Sequence, residues 1–146
     1  MQRVTGASVE VGGTDVASIG RGILIFLGVH RLDAGQEADW LARKCARLRI
    51  FPDEAGLMNR SVTDIQGQAL VVSQFTLYGS AAKGNRPSFV DAAKPPKAEA
   101  LYERFVQALE EEMRRPVATG VFGAAMKVHL TNDGPVTLWI ERSRSG

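Results

Sequence analysis

Apolar positions along this chain change their spacing several times, and each change marks an element. Val4, Ala7, Val9 and Val11 fall in an extended-looking stretch that stops at Gly12-Gly13. A glycine pair there predicts a hairpin, with residues 16–19 as the return strand. Gly20-Arg21-Gly22 then turns the chain into residues 23–29, Ile-Leu-Ile-Phe-Leu-Gly-Val, a run without polar alternation. Such a run predicts a strand buried on both faces. Residues 69–75 predict a second strand of this kind. Near the C-terminus Ala124, Met126, Val128 and Leu130 alternate with Lys127 and His129, the pattern of a half-buried strand, and residues 136–141 predict the last one.

Two segments carry helical spacing instead. Between residues 36 and 48 the apolar positions are Ala38, Leu41, Ala42, Cys45 and Leu48, with Arg43, Lys44 and Arg47 off the stripe. Leu101, Phe105, Leu109 and Met113 recur every four residues, flanked by Tyr102 and Val106. Lys94-Pro95-Pro96-Lys97 opens this second helix, since proline is tolerated in a first turn, and Pro116 ends it. Pro52 to Gly56 is a turn, and residues 142–146 read as a frayed tail. Strands, helix, strands, helix, strands is the order of an α+β fold. It predicts a largely antiparallel or mixed sheet, curled around or covered by two main helices. A chain of 146 residues without linker or repeat fits one domain, residues 1–146.

Composition narrows the picture modestly. Apolar residues make up 45% and charged residues 23%, an ordinary globular balance. No apolar stretch approaches the roughly 20 residues of a membrane helix, so no membrane association is expected. One cysteine and no charged, apolar leader fit a reducing cytoplasmic setting. The net charge of +2 is too small to announce nucleic-acid binding. The local clusters Arg43, Lys44, Arg47 and Arg49, Lys94 and Lys97, and Arg114 and Arg115 are solvated faces or phosphate contacts; charge alone favours the former.

The usual hydrolytic solutions are absent from the sequence. There is no Gly-x-Ser-x-Gly elbow, and the two histidines, His30 and His129, read as surface or packed residues rather than bases. Two distant histidines and one helical cysteine do not supply a zinc site. No Gly-rich phosphate loop or dinucleotide fingerprint appears. Cys45, on the apolar stripe, reads as a small core residue.

Three segments remain as candidate chemistry. Ser73, Gln74, Phe75 and Thr76 stand at the mouth of a buried strand. They offer hydroxyls, an amide and backbone N–H groups suited to a carbonyl oxygen gaining charge. The plainer alternative is a strand end whose side chains cap nearby backbone. Thr76 is the evident candidate nucleophile, but no base lies near it in sequence. Asn85-Arg86-Pro87-Ser88-Phe89 forms a stiff segment, since Pro87 fixes its own φ and extends Arg86; a surface loop is the alternative. In the third, Asn132-Asp133-Gly134-Pro135-Val136-Thr137, Asp133-Gly134 between two strands predicts a hairpin.

Taken in order, Ser73-Gln74-Phe75-Thr76-Leu77-Tyr78-Gly79, Gly84-Asn85-Arg86-Pro87-Ser88-Phe89 and residues 132–137 resemble the D-aminoacyl-tRNA deacylase family. Members cleave D-amino acids, and glycine mischarged on a wrong tRNA, from tRNA. The resemblance runs from Gln2 to Ile140. It implies a compact barrel-like sheet with helices, working as a homodimer on the aminoacyl-tRNA 3′ end, with no metal and no cofactor. It places Ser73, Gln74, Phe75 and Thr76 at the catalytic pocket and Arg86, Pro87, Ser88 and Phe89 along its wall. Backbone N–H groups around Phe75 and Phe89 would stabilise the oxyanion, and the terminal ribose 2′-OH would assist. It also implies that Gly134-Pro135 is a Gly-cis-Pro pair that reaches into the partner's pocket. There its carbonyls would reject an L side chain, and Arg3 would steady it. Two departures stand out: fewer apolar residues precede Gln2-Arg3-Val4 than is usual in the family, and Tyr78 replaces a commonly small residue. A tRNA or single-strand binding module on the same fold, without catalysis, and a small-acyl esterase are the rival readings.

Overall fold

The computed structural model of the protein describes residues 1–143. The chain opens with β1 (Gln2–Val11) and β2 (Thr14–Ile19), an antiparallel pair joined at Gly12 and Gly13. Both glycines have positive φ, 58° and 81°. A tight turn of this hand requires that backbone, and glycine adopts it without a Cβ penalty. β3 (Gly22–Leu27) runs antiparallel to the first residues of β1 and parallel to β6 (Gln68–Ser73). A short β7 (Ala118–Thr119) continues parallel to β6. β8 (Lys127–Thr137) covers the remaining edge of β1. Between β3 and β6 lie α1 (Gly35–Arg47) and a small hairpin of β4 (Phe51–Pro52) and β5 (Met58–Arg60). Between β6 and β7 lies α2 (Lys97–Met113).

β1 has three partners but only two edges. β3 pairs with residues 2–4 and β2 with residues 7–11, both along one edge, while β8 runs the length of the other. Two strands sharing one edge must diverge, and the mixed sheet curls there into a barrel-like shape. The expected α+β class, with a curled mixed sheet and two helices, is the observed one.

The unalternated runs are explained by what lies on either side of the two inner parallel strands. Ile23, Ile25, Leu27, Ala69 and Val71 face the helices and pack with Ala42, Cys45, Phe105, Leu109 and Met113. Leu24, Leu70 and Val72 point the other way, into the curl, where they meet Val4, Val9 and Ile19. The helices are tied to each other at their exposed edges. Arg104 grips Asp39 through two hydrogen bonds of 2.9 and 2.6 Å, and Arg43 and Arg47 flank Glu112.

Several boundaries differ from the sequence reading. α2 begins at Lys97, so Pro95 and Pro96 precede its first turn, with Pro96 as the capping residue. The helix closes at Met113 on Arg114, whose left-handed φ of 55° stops it before Pro116. Of the tail expected over residues 142–146, Arg142 stacks on the Trp40 ring at 5.1 Å, and residues 144–146 lie outside the described residues.

Phe105 is fully buried between helices and sheet. Phe105→Ala should therefore lower unfolding free energy by about 3–5 kcal/mol. Leu57→Ala, at a side chain 62% exposed on the small hairpin, should change it by less than about 0.5 kcal/mol. Urea denaturation followed by circular dichroism measures both.

Candidate active site

β6 delivers Ser73 beside Leu27 and stops there, two residues short of the predicted end at Phe75. The Gln74 amide still donates to the Leu27 carbonyl at 2.8 Å, but its backbone then turns and residues 75–78 wind into one 3₁₀ turn, Phe75–Tyr78. Gly28, just beyond β3, makes room for that turn. A Cβ there would stand 3.2 Å from Leu77 Cβ and from the Tyr78 ring, so only bare backbone lets the turn pack this closely.

The second segment joins the first. Ser80 and Ser88 exchange two backbone hydrogen bonds of 2.8 and 2.9 Å, which close the intervening loop. Phe89 is thereby set edge-on to Phe75, with ring centres 5.2 Å apart. Gly79 permits the approach, since a Cβ there would fall 2.7 Å from the Phe89 ring. Phe75 is 56% exposed and Phe89 37%, so the pair forms an apolar shelf open to solvent. Arg86 and Pro87 are exposed on the loop rather than packed against the turn. The Phe75, Thr76 and Phe89 amides donate no backbone hydrogen bond among the described residues. That is the usual condition of the first amides of a helical turn.

No side chain in this neighbourhood is arranged as a base. The Thr76 hydroxyl accepts a hydrogen bond from the Gln74 amide nitrogen at 2.9 Å, and a neutral amide donor cannot take a proton from it. His30 stacks edge-on to Tyr78 at 5.2 Å, and its Nδ1 accepts from the Leu32 amide. His129 is exposed on β8, opposite Ser8. Burial, with Asp33 and Glu141 nearby, pushes the Tyr78 phenol up to about 12, so it stays protonated at neutral pH. Burial also raises the Asp33 carboxyl, against a hydrogen bond from the His30 amide that favours its charge. Cys45 is buried in the core, its thiol pushed up to about 12 by desolvation. Among the described residues no three His, Cys, Asp or Glu side chains are grouped to hold a metal ion. Nor, among the described residues, is any helix long and apolar enough to cross a membrane.

The third segment is not a hairpin. Residues on both sides of it pair with the same strand: Asn132 faces Val4 and Thr137 faces Gln2. β8 takes five steps where β1 takes two, so three residues bulge out around the Gly134–Pro135 peptide, which is cis. A hairpin would fold residues 136–140 back onto 124–130. Here β1 offers both halves one continuous edge; of the strand predicted over 136–141 only Val136 and Thr137 belong to β8, and residues 138–141 are not strand. The pairing runs one residue past Thr137, where Met1 and Leu138 exchange backbone hydrogen bonds of 2.8 and 2.9 Å. Arg3 closes the base of the bulge: its Nε donates to the Asp133 carbonyl at 3.0 Å and its Nη1 to the Ile50 carbonyl at 2.7 Å. Gly134, at φ 122°, leaves space for it, since a Cβ would lie 3.0 Å from Arg3 Nη2.

Within one chain the first two segments meet, and Thr137, at the end of the third, lines one cavity with Leu77 and Tyr78. Among the described residues no hydrogen bond or ion pair joins residues 133–135 to residues 73–76 or 85–89. Arg3, in a first strand of ten residues, keeps both of its carbonyl partners. Sequence reasoning missed Gly28, Ile50 and the side-chain bond from Thr137 to Gln2. A glycine ending an apolar run was a usable signal for the first. A backbone carbonyl leaves no trace in a sequence, so Ile50 had none.

Comparison with known proteins shows what the whole chain is similar to. The family described as D-Tyr-tRNA(Tyr) deacylase matches residues 1–141. A protein of Salinibacter ruber named D-aminoacyl-tRNA deacylase is 57% identical over 97% of this chain and 95% of its own length. One of the same name from Thermomicrobium roseum is 56% identical over 97% and 91%. Among solved structures, a protein described as c-Myc DNA Unwinding Element Binding Protein superposes with a TM-score of 0.92. It shares 44% identity, over 98% of this chain and 97% of that one. A probable eukaryotic D-amino acid tRNA deacylase shares the fold, with a TM-score of 0.77 at 18% identity over 92% of each chain.

Arg3 supplies two charge-assisted contacts, to the Asp133 and Ile50 carbonyls. Arg3→Met should speed hydrogen–deuterium exchange across residues 132–137 by about tenfold or more, with β3 and β6 unchanged, because such a contact contributes about 1.5–3 kcal/mol. Equal acceleration throughout the sheet would mean that Arg3 holds the whole fold rather than the bulge. Cys45 should resist a thiol-reactive reagent at pH 8 until denaturant is added.

Proposed function

Because this chain belongs to the D-Tyr-tRNA(Tyr) deacylase family, we propose that it hydrolyses the ester joining a D-amino acid to the 3′ end of tRNA, a chirality-proofreading step in translation. The observation that carries the mechanism is the Phe75 turn. Its first amides are uncommitted, its hydroxyl has no base, and it opens beside Phe89.

In this reading the protein supplies donors and shape rather than a nucleophile. The ester carbonyl docks at the Phe75–Tyr78 turn. The amides around Phe75 and Phe89 stabilise the negative charge that grows on its oxygen, commonly the largest single contribution to catalysis. The terminal ribose 2′-OH of the tRNA assists attack on the carbonyl. Water supplies the oxygen that ends in the free D-amino acid, and the ribose hydroxyl leaves protonated on the tRNA. Ser73 and Gln74 frame the turn, with Gln74 holding the Thr76 hydroxyl in place. The exposed Phe75–Phe89 shelf suits the apolar face of the terminal adenosine, while Arg86, Pro87 and Ser88 border the loop through which the tRNA end enters.

Specificity rests on exclusion. The Gly134–Pro135 bulge of one subunit reaches the pocket of a second copy, where its carbonyls occupy the space an L side chain would need. A homodimer accounts for a bulge that has no bond to the pocket of its own chain. A filter built on exclusion accepts many D side chains, and glycine, which has none, also enters. Cytoplasmic work on translation fits a protein with this substrate.

The deciding experiment is a paired assay on D-Tyr-tRNA and L-Tyr-tRNA. Rapid loss of the D ester with the L ester spared is the expected result; equal rates would sink the exclusion filter. Binding of tRNA without cleavage would instead favour a binding module, the role suggested by the name of the 44% identical structure. Thr76→Ala should keep its rate within about tenfold of the parent. A loss of about a thousandfold with the fold intact would mean that the Thr76 hydroxyl attacks the ester itself.

A further inference from the structure

We infer that the hydrogen bond from Thr137 to Gln2 is a positioning device for the Gly134–Pro135 bulge, and through it a determinant of selectivity for D over L esters. This rests on the exclusion role proposed above for that bulge.

A bulge of three residues has two ends, and a rigid filter needs both fixed. The upstream end is fixed by Arg3, which grips the Asp133 carbonyl and is itself anchored on the Ile50 carbonyl. Arg3 makes no contact with Thr137 among the hydrogen bonds and ion pairs of the described residues. The downstream end returns to β1 at the Gln2–Thr137 pair, and one step further Met1 and Leu138 exchange backbone hydrogen bonds. At that end the side-chain bond, Thr137 Oγ1 donating to Gln2 Oε1 at 2.8 Å, ties the first residue after the bulge to the strand. Gln2 and Arg3 are adjacent on β1, so their side chains hold opposite ends of one extruded segment. Without the Gln2 tie only the backbone pairing at Thr137 and Leu138 would hold this end, leaving the carbonyls of residues 134–136 freer to turn.

The position of this bond argues against a purely stabilising purpose. Thr137 is exposed and Gln2 only half-buried, a setting where a single substitution changes stability little. Exclusion, by contrast, is steep in distance. Displacing a positioned group by about 1 Å can alter a rate about a hundredfold, and a carbonyl that rejects a side chain by overlap is as sensitive.

The test uses Thr137→Val, which keeps shape and removes the hydroxyl, Thr137→Ser, which restores it, and Gln2→Met. Deacylation of D-Tyr-tRNA and L-Tyr-tRNA and the melting temperature are measured for each. Thr137→Val and Gln2→Met should cleave the L ester at least about tenfold faster than the parent. Their D-ester rate should stay within about threefold and melting within a few degrees. Thr137→Ser should regain the parental selectivity, and the double variant should be no worse than either single one, as for two partners in one contact. If Thr137→Val spares the L ester as the parent does, the positioning role is wrong while the exclusion filter stands. The same holds if both ester rates fall together with the melting temperature. If the parent protein itself cleaves both esters alike, the filter reading fails and this inference with it.

Discussion

The structure depends above all on the backbone edges of β1. Ten residues must satisfy three strands, with β3 and β2 dividing one edge and β8 taking the other. Backbone donors and acceptors left unpaired inside a protein cost as much as a lost hydrogen bond, so this division sets the geometry around it. It forces the sheet to curl, which creates the second apolar face on which Val4, Val9, Leu24 and Leu70 are buried. It also gives β8 a continuous edge on both sides of the Gly134–Pro135 peptide, which is why the three extra residues there extrude as a bulge. Arg3 and Gln2, neighbours on β1, are then in place to hold it.

The candidate site follows from the end of the parallel pair. β3 and β6 finish together, with Ser73 beside Leu27, and the chain must leave the sheet. Gly28 on one strand and Gly79 after the other remove the side chains that would obstruct the departure. The outcome is a tight turn with free amides beside a loop that carries Phe89. Ligand sites commonly form just beyond the carboxyl ends of parallel strands. Here the site is unusual in offering backbone donors while the nearby titratable groups are disabled. Tyr78 is held protonated, Cys45 is sealed in the core, and Thr76 is bonded to an amide.

Much of this was legible in the residues. The unalternated runs marked the doubly buried strands, the four-residue spacing of Leu101, Phe105, Leu109 and Met113 marked α2, and Gly12-Gly13 marked its hairpin. Each signal is local, because strand and helix periodicities and turn glycines act within a few residues. The three short segments fixed the family, a likeness carried by residue identity rather than by shape. Asp133-Gly134 gave a local hairpin signal that tertiary pairing overrode.

Tertiary structure alone decided how those pieces meet. The sequence could not show that Phe89 lies against Phe75, that Ile50 lends a carbonyl to Arg3, or that residues on both sides of Gly134–Pro135 pair with one strand. Nor could it show that β1 serves three strands. These are relations between backbone groups and between residues far apart in the chain, and they arise only when the sheet closes. Composition and spacing determine what each segment prefers. Which preference survives is settled by the pairing of edges, because an unpaired buried amide costs more than a turn propensity can return.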